Sequence, residues 1–221
     1  FLESDKSYYV KVKLGISTDT DDSTGKIIFE SNKLPTQEEI KGKLFSFIGD
    51  SMQIPPFFSA LKYKGKPLYK YARQGEFISK PPRKITIRNI NHFSYKDKIC
   101  SFQLECSKGT YIRSIARDLG RNLGCGAHMK SLTRLSQANF HLSEASNVSD
   151  ITKQSIIPIE TAFKIFNKIS INPDASKKFI NGIKIPISHN SDIFLRVFNE
   201  NDKFLGIGEV KDNNLKHKQL V

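Results

Sequence analysis

The first part of the chain alternates between largely apolar and polar residues. Four side chains recur at every second position: Tyr8, Val10, Val12 and Leu14. This period of two is typical of a strand with one buried face, so it predicts a strand from Tyr8 to Leu14. The acidic loop, Ser17–Gly25, follows. It lacks the fixed glycine and final glutamate of a calcium-binding loop, so we interpret it as a solvated loop between strands.

A capping box predicts the start of the first helix. Thr36 and Glu39 have the T-x-x-E spacing in which each side chain accepts a hydrogen bond from the backbone of the other. Apolar residues then recur at helical spacing as far as Gly49: Ile40, Leu44, Phe45 and Ile48. A second helix is predicted over Thr110–Arg121.

Further apolar periodicity predicts three more strands and a helical region. The strands are Lys84–Tyr95 and Ile99–Cys106, joined by a turn at Lys96–Lys98, and a segment around Ser131–Phe140. Asn147–Lys168 is predicted to be helical in two pieces, because Pro158 cannot continue a helix from the preceding turn.

From Ile171 onward the predicted elements become shorter. Asn172–Gly182 predicts a capped helix closed by glycine. Three short strands are predicted after it: Ile193–Phe198, Phe204–Val210 and Leu215–Val221. We therefore expect a domain boundary near residue 170. The predicted fold class is α/β of the α+β type, with a mixed, largely antiparallel sheet flanked by helices and a small β-rich domain after it.

The composition adds a strong positive charge. The chain has 35 lysine and arginine residues against 22 aspartate and glutamate residues, which gives a formal net charge of +13. Such an excess favours a polyanionic partner, because cations on phosphates release counterions. The alternative is that the charge only maintains solubility.

The sequence also bears on location and on metals. No apolar run approaches the length of a membrane span, and Phe1–Tyr9 lacks a signal-peptide pattern, so we expect a cytoplasmic protein without membrane contact. The three cysteines show no zinc spacing, which favours free thiols and no bound metal. The chain enters strand alternation almost at once without an initiating methionine, so we expect the natural protein to begin upstream of Phe1.

The basic aromatic segment, Lys62–Arg73, combines cations with tyrosine rings. Its members are Lys62, Tyr63, Lys64, Lys66, Tyr69, Lys70, Tyr71 and Arg73. Cations bind phosphates and tyrosine rings stack on unpaired bases, so these residues are candidates for RNA binding. The alternative is an exposed hairpin whose tyrosines pack on the core.

An arginine stripe runs along the second predicted helix. Arg113, Arg117 and Arg121 are four residues apart, and apolar residues occupy the adjoining face. Arg117 and Arg121 are also explained as surface residues, with Asp118 or a distant acid as partner. Arg113 lies in the first turn, where a cation opposes the helix dipole, so we expect it to pair with a buried carboxylate. Periodicity does not identify that acid.

Three strings resemble the TruB family of tRNA pseudouridine synthases. They are DKSYYVKVKLG (Asp5–Gly15), QIPPFFSALKYKGKPLYKYARQG (Gln53–Gly75) and CSKGTYIRSIARDLGRNLGCGAH (Cys106–His128), with SLTRL after the third. The resemblance covers residues 1 to about 140 continuously. The last fifty or so residues, with FLGIGEV at Phe204–Val210, more loosely resemble the small PUA-like RNA-binding domain that ends these enzymes.

The resemblance implies an activity and a domain organisation. The activity is isomerisation of uridine to pseudouridine at position 55, in the T-loop of tRNA, after base flipping and without cofactor or metal. The tRNA T-arm stem-loop would be the partner, and we expect a monomer. Residues 1–170 would form the catalytic domain around a central RNA-binding cleft, with an RNA-gripping insertion at about 53–83, and 171–221 the PUA-like domain.

The resemblance also assigns roles to single residues. Tyr8 matches a tyrosine that stacks on the target base and is a candidate for the late deprotonation at carbon 5. Arg113 matches an arginine that pairs with the catalytic aspartate, which would be the expected acid. Tyr111 and Leu132 match residues that line the uridine pocket. For Tyr8 and Leu132 the alternative is an ordinary position in the core.

One family motif is missing from the printed sequence. The family's nucleophilic aspartate lies in a G-[TA]-L-D-P motif after a base-flipping histidine, and by order both should precede Phe1. The acidic loop has its own counterpart in the family and does not replace them. Either the protein continues upstream, in which case these 221 residues alone should be inactive, or it binds or refolds tRNA without chemistry.

Overall fold

The chain forms two units that divide after Ser143. The computed structural model describes residues 4–188 and 193–221. The strands of the first unit are β1 (Lys6–Leu14), β2 (Ile16–Thr18), β3 (Ile27–Glu30), β4 (Gly49–Gln53), β5 (Lys62–Tyr63), β6 (Lys66–Pro67), β7 (Arg83–Lys96), β8 (Ile99–Cys106), β9 (Ala127–Gln137) and β10 (Phe140–His141). Its helices are α1 (Gln37–Phe45), α2 (Leu68–Ala72) and α3 (Ile112–Asn122).

A six-stranded sheet organises the first unit, with strand order β10-β9-β1-β8-β7-β4. Each neighbouring pair is antiparallel, which confirms the predicted antiparallel character. The predicted strand at the start of the chain is confirmed as β1, and its four alternating side chains from Tyr8 to Leu14 are all buried. Together with residues of α1, α3, β7 and β8 they form one hydrophobic core.

The capping box of α1 is present in both directions. The Thr36 hydroxyl accepts a hydrogen bond from the Glu39 backbone, and the Glu39 carboxylate accepts one from the Thr36 backbone. Ile40 and Leu44 are fully buried, as predicted. The helix ends earlier than expected, so Ile48 lies beyond it and is 43% exposed.

Helix α3 has one apolar face and one cationic face, as the sequence predicts. Its buried side chains include Ile112, Ile115, Ala116 and Leu119. Gly120 lies directly against β9, where an added Cβ would be 2.2 Å from the backbone nitrogen of Ala127. The helix therefore packs so closely on the sheet that this position has no room for a side chain.

Two predicted segments differ in detail from the structure. The last predicted strand of the first unit begins earlier, at Ala127, and is interrupted at Ala138, whose φ of 52° bends the chain. The acidic loop is not wholly loop, because Ser17 and Thr18 belong to β2, which pairs with β3 in a hairpin. The predicted hairpin of β7 and β8 is confirmed, with Asp97 and Lys98 in the left-handed turn.

The prediction of two helices between Asn147 and Lys168 is wrong. Short 3₁₀ turns occur at Val148–Asp150 and Lys153–Ser155, and one short helix, α4 (Ile159–Ala162), follows Pro158. The large apolar residues from Val148 to Ile159 are exposed, Val148 by 88%, so no buried stripe stabilises a longer helix there.

The second unit contains a five-stranded sheet. Its elements are β11 (Asn167–Ile171), α5 (Pro173–Ile180), β12 (Ile185–Pro186), β13 (Ile193–Asn199), β14 (Phe204–Lys211) and β15 (Asn214–Leu220). The strand order is β11-β13-β14-β15-β12, with β11 and β13 parallel. The predicted capped helix is confirmed as α5, since the Asn172 side chain accepts from the Ala175 backbone and Gly182 has a φ of 75°.

The division after Ser143 falls earlier than the boundary expected near residue 170. One contributing contact is that Phe163 and Phe166 pack against a small cluster formed by Phe198, Phe204 and Ile207. The residues just before β11 thus contact the second sheet, and the change of apolar pattern at Ile171 does not coincide with the division.

Candidate active site

Tyr8 lies in the core on β1 and is 7% exposed. Arg134 of β9 is its partner in the sheet register, and the Arg134 guanidinium lies 5.5 Å from the centre of the Tyr8 ring. Burial raises the pKa of the Tyr8 hydroxyl, although the nearby Arg134 charge acts in the opposite direction. The phenol is therefore held in its neutral form near pH 7.

Leu132 lies on β9 opposite Val10 of β1. It is 40% exposed, so it is not an ordinary core residue. The structure thus distinguishes the two residues for which a plain core position was the alternative. Tyr8 is buried, and Leu132 offers an apolar surface to solvent.

Tyr111 is fixed through its backbone by a buried glutamine. Its N–H donates to the Gln53 side-chain oxygen at 2.8 Å, and its carbonyl accepts from the Gln53 side-chain nitrogen at 3.2 Å. Gln53 ends β4 and is 2% exposed. This pair connects β4 to the start of α3, where Tyr111 is the N-cap residue. Sequence reasoning placed Gln53 in the RNA-gripping insertion and missed this role.

Arg113 pairs with Asp22 of the acidic loop. Its guanidinium donates to an Asp22 carboxylate oxygen at 3.2 Å and to the Phe58 carbonyl at 2.7 Å. Partial burial would raise the pKa of the Asp22 carboxyl, but hydrogen bonds from Thr24 and Thr20 and the Arg113 charge lower it. Asp22 is therefore ionised at neutral pH and offsets the Arg113 charge.

This pairing corrects the interpretation of the acidic loop as only a solvated connection. The sequence predicts a buried carboxylate beside Arg113, and among the described residues Asp22, whose side chain is 17% exposed, pairs with it. No local signal identifies the pair, because the two residues are 91 positions apart.

Arg117 pairs with Asp118 and with the distant acid Asp21, as one alternative expected, but its side chain is only 13% exposed, so it is not an ordinary surface residue. Its guanidinium donates to Asp21 at 3.2 Å and to Asp118 at 2.9 Å, and also to the Ile54 carbonyl at 2.9 Å. Burial raises the pKa of the Asp21 carboxyl, and the Arg117 charge offsets this in part. Arg121, one turn further along α3, is exposed.

A cavity of about 380 Å³ lies where the acidic loop, α3 and the basic aromatic segment meet. Its lining residues are Thr20, Asp22, Thr24, Phe58, Ser59, Ala60, Tyr69, Arg73, Tyr111 and Arg113. The structure thus brings together two of the four predicted site residues, Tyr111 and Arg113, with two predicted RNA-binding residues. Tyr8 and Leu132 do not line this cavity.

The basic aromatic segment forms an exposed hairpin followed by α2. Its turn consists of Lys64 and Gly65, both with positive φ. Cations lie over its rings, with Lys66 4.4 Å from the Tyr71 ring centre and Arg73 5.3 Å from that of Tyr69. Leu68 and Ala72, rather than the tyrosines, are the residues of α2 that are buried. The rings and cations thus form a partly exposed surface that extends from the cavity.

Neither a metal cluster nor a membrane helix is found in the described part of the chain. Within residues 4–188 and 193–221, histidine, cysteine and acidic residues form no group of three that could hold a metal ion. Over the same ranges no helix has the length and apolar character needed to cross a membrane. The three cysteines are free and buried.

Solved structures share the fold at low sequence identity. The crystal structure of a Cbf5–Nop10–Gar1 complex contains a chain that matches with a TM-score of 0.69 and 18% identity, over 99% of this chain and 67% of the other. A structure of an H/ACA RNP bound to a substrate RNA containing 2′-deoxyuridine matches with the same TM-score and 16% identity, over 99% and 66%. At this identity the likeness concerns the fold alone.

Three family models together cover almost the whole sequence. Residues 1–112 match the N-terminal domain of the TruB family pseudouridylate synthases. Residues 113–164 match the tRNA pseudouridylate synthase B C-terminal domain, and 168–221 match the C-terminal model of pseudouridine synthase II TruB. The class defined by all three models is the pseudouridine synthases, which are isomerases.

Curated relatives of this chain are named as pseudouridine synthases as well. The tRNA pseudouridine synthase B of Actinobacillus pleuropneumoniae is 36% identical over 234 residues, which cover 100% of this chain and 77% of the relative. That of Clostridium kluyveri is 37% identical, over 99% of this chain and 79% of the relative. The chain belongs to the TruB family of pseudouridine synthases.

Proposed function

We propose that the protein converts uridine to pseudouridine in the T-loop of tRNA, at position 55. The observation that carries the proposal is the cavity in which the Arg113–Asp22 ion pair meets the basic aromatic segment. A charged, partly buried site suits the stabilisation of charge that develops during glycosidic bond cleavage. Exposed cations and rings beside it suit a flipped-out nucleotide and its neighbouring phosphates.

The proposed roles of the site residues follow the family resemblance. Arg113 supplies positive charge at the reacting centre and pairs with the nucleophilic aspartate, while Asp22 accepts a hydrogen bond from the same guanidinium. Tyr8 stacks on the target base. Its candidate role in the deprotonation at carbon 5 requires the phenolate form, which the Arg134 charge favours and burial disfavours. Tyr111 and Leu132 contact the uridine. Since Tyr8 and Leu132 lie outside the cavity lined by Arg113, the uridine would contact residues beyond that cavity.

The proposed nucleophile is the aspartate of the family's G-[TA]-L-D-P motif. The printed 221 residues contain no G-[TA]-L-D-P motif. The relatives are longer, and the chain spans about three quarters of the Actinobacillus protein. A protein that includes the motif is therefore the form to assay.

The RNA contacts are proposed to be distributed over both units. The insertion at about 53–83, which contains the basic aromatic segment, would grip the T-arm beside a central RNA-binding cleft. Residues 171–221 would bind RNA as a PUA-like domain, which the five-stranded sheet supports. We propose a monomeric enzyme that acts with its tRNA in the cytoplasm.

The test is a pseudouridine assay with a T-arm stem-loop RNA that carries tritium at carbon 5 of its uridines. Isomerisation releases that tritium to water, so we expect release from one loop uridine per RNA. A control RNA with cytidine at that position should release none. A protein that carries the aspartate motif but yields no pseudouridine would contradict the proposal.

The second candidate function is tRNA binding or folding without chemistry. It is favoured by the lack of the aspartate motif in the printed residues and by the net charge of +13. It predicts salt-sensitive binding of the same stem-loop without tritium release. Turnover by the 221-residue chain itself would exclude it.

A further inference from the structure

The acidic loop reaches α3 through two consecutive aspartates. Asp22 pairs with Arg113 and Asp21 pairs with Arg117, each at 3.2 Å. The two arginines are one helical turn apart, so two ion pairs lie side by side between the loop and the helix. Asp22 and Arg113 line the cavity, whereas Asp21 and Arg117 do not.

Arg117 joins three separate parts of the first unit. It binds Asp21 of the acidic loop, Asp118 of its own helix and the Ile54 carbonyl just after β4. Its side chain is 13% exposed and that of Asp21 is 15% exposed. A planar guanidinium suits this arrangement, because it presents several donors in a fixed geometry.

The backbone of Asp21 is also constrained. Its φ of 62° lies in the left-handed region, which aspartate and asparagine adopt more readily than most residues. Its carbonyl accepts a hydrogen bond from the Met129 N–H at 2.9 Å. This turn lets the side chains of Asp21 and Asp22 both contact α3. Because the two residues are adjacent in the chain, loss of the Asp21 contact would also shift Asp22.

A role in stability alone explains the pair poorly. Removing two charges from water is unfavourable, and a buried ion pair is often no more stabilising than apolar residues of the same size. The fixed geometry is the property that apolar residues would not reproduce.

We infer that Asp21 and Arg117 are positioning residues, which hold the acidic loop so that Asp22 stays paired with Arg113 at the cavity. This inference rests on the proposed function, because the pair acts through Arg113 on the isomerisation. Neither residue of the pair would touch the uridine.

The test measures kcat and KM on the T-arm stem-loop with a protein that carries the aspartate motif. Asp21→Asn removes the charge and keeps a side chain that accepts a left-handed φ, whereas Asp21→Gly also removes the side chain. Small displacements of catalytic groups lower the rate strongly, so we expect kcat to fall about 10- to 100-fold in both variants. KM should stay within about twofold, because the basic aromatic segment is unchanged.

The matched control is Asp118→Asn. It removes the other acid of Arg117 and leaves the acidic loop untouched, so its kcat should stay close to that of the unchanged protein. Equal losses in Asp21→Asn and Asp118→Asn would overturn the inference, as would an unchanged kcat in Asp21→Asn. If the Asp21 variants do not fold, Arg117→Lys is the substitute, because it keeps the charge but loses the planar guanidinium that donates to three groups. An unchanged kcat in Arg117→Lys would also overturn the inference.

A double-mutant comparison separates positioning from a purely structural role. If Asp21 acts through Arg113, then Asp21→Asn should lower kcat much less in an Arg113→Ala background than in the unchanged protein. Full additivity would overturn the inference. Failure of the proposed function is seen separately, as absence of pseudouridine from the unchanged protein.

Discussion

Arg113 occupies a position that its helix disfavours. A cation in the first turn of a helix opposes the dipole at a cost of about 0.3–1 kcal/mol. Asp22 offsets this cost, and the Phe58 carbonyl takes a second hydrogen bond from the same guanidinium. A cation that occupies an unfavourable position and also lines a cavity is a candidate for an electrostatic role.

Arg113→Ala should therefore impair chemistry more than RNA binding. We expect kcat to fall roughly 100- to 1000-fold, as for the loss of one preorganised charge or donor at a reacting centre. The Kd for the T-arm stem-loop should rise much less. The measurements are single-turnover tritium release and a binding titration.

Arg121→Ala is the control for Arg113→Ala. It removes one positive charge from the same helix at an exposed position. Its effect on kcat should be small. Equal losses of rate and affinity in Arg113→Ala would argue that Arg113 only binds RNA.

The buried thiols give a prediction on pH. Burial raises the pKa of Cys100 to about 12 and that of Cys106 to about 11. Unfolded cysteine ionises near pH 8.5, so above that pH the unfolded chain binds fewer protons than the folded one. The free energy of unfolding should thus fall as pH rises from about 8.5 towards these pKa values.

The same burial should protect the thiols from alkylation. At pH 8 we expect Cys100 and Cys106 to react slowly with iodoacetamide in the native protein and all three cysteines to react after denaturation. Lys211→Cys, at an exposed position of β14, supplies a reactive control thiol. Rapid labelling of Cys100 in the native protein would contradict its burial.

At the scale of elements, the close packing of α3 on β9 positions the site. Gly120 has no room for a Cβ, since the nearest atoms belong to the backbone around Ala127. That contact keeps α3, with its arginines, directly against the sheet that contains Tyr8. The sequence pattern predicts the helix and its two faces but not this distance.

Two glycine substitutions test the packing of α3. Gly120→Ala should lower the free energy of unfolding by about 1–3 kcal/mol, because backbone atoms must move to make room for the added Cβ. Gly42→Ala, in the exposed part of α1 with no atom within 4 Å of the added Cβ, should raise it by about 0.5–1 kcal/mol. Urea unfolding of both variants measures the difference. A neutral Gly120→Ala would contradict the close contact.

Prediction of elements succeeded where the signals are local. The capping box of α1 and the alternation of β1 each occur within a few consecutive residues, and both are confirmed. The helices predicted across Asn147–Lys168 failed, because apolar residues alone do not make a helix without a surface on which to bury them.

At the scale of the whole molecule, the net charge of +13 is the dominant property. It predicts that binding to any RNA weakens steeply with salt. Its distribution determines which RNA contacts matter. The basic aromatic segment places cations and rings beside the cavity. Its lysines and arginine should therefore contribute more to RNA binding than an equal number of cations elsewhere on the surface.

Replacement of Lys62, Lys64 and Lys66 by glutamine should weaken binding of the stem-loop and flatten its salt dependence. Each lost phosphate contact lowers the slope of log Kd against log salt by about 1, so a reduction of up to about 3 is expected. The control replaces Lys33, Lys41 and Lys43, which are exposed in or near α1. An unchanged slope in the first variant would show that these three lysines do not contact phosphates.

The sequence by itself determined the family, the first strand, the capped helices and the two faces of α3. Each of these depends on residues that are close together in the chain, so periodicity and motifs report them directly. Only the tertiary structure decided which acid faces Arg113 and which side chain holds Tyr111. Asp22 and Gln53 are 91 and 58 positions away from those residues. Such pairs form only when folding brings distant segments of the chain together around the sheet and α3. No local sequence pattern predicts them.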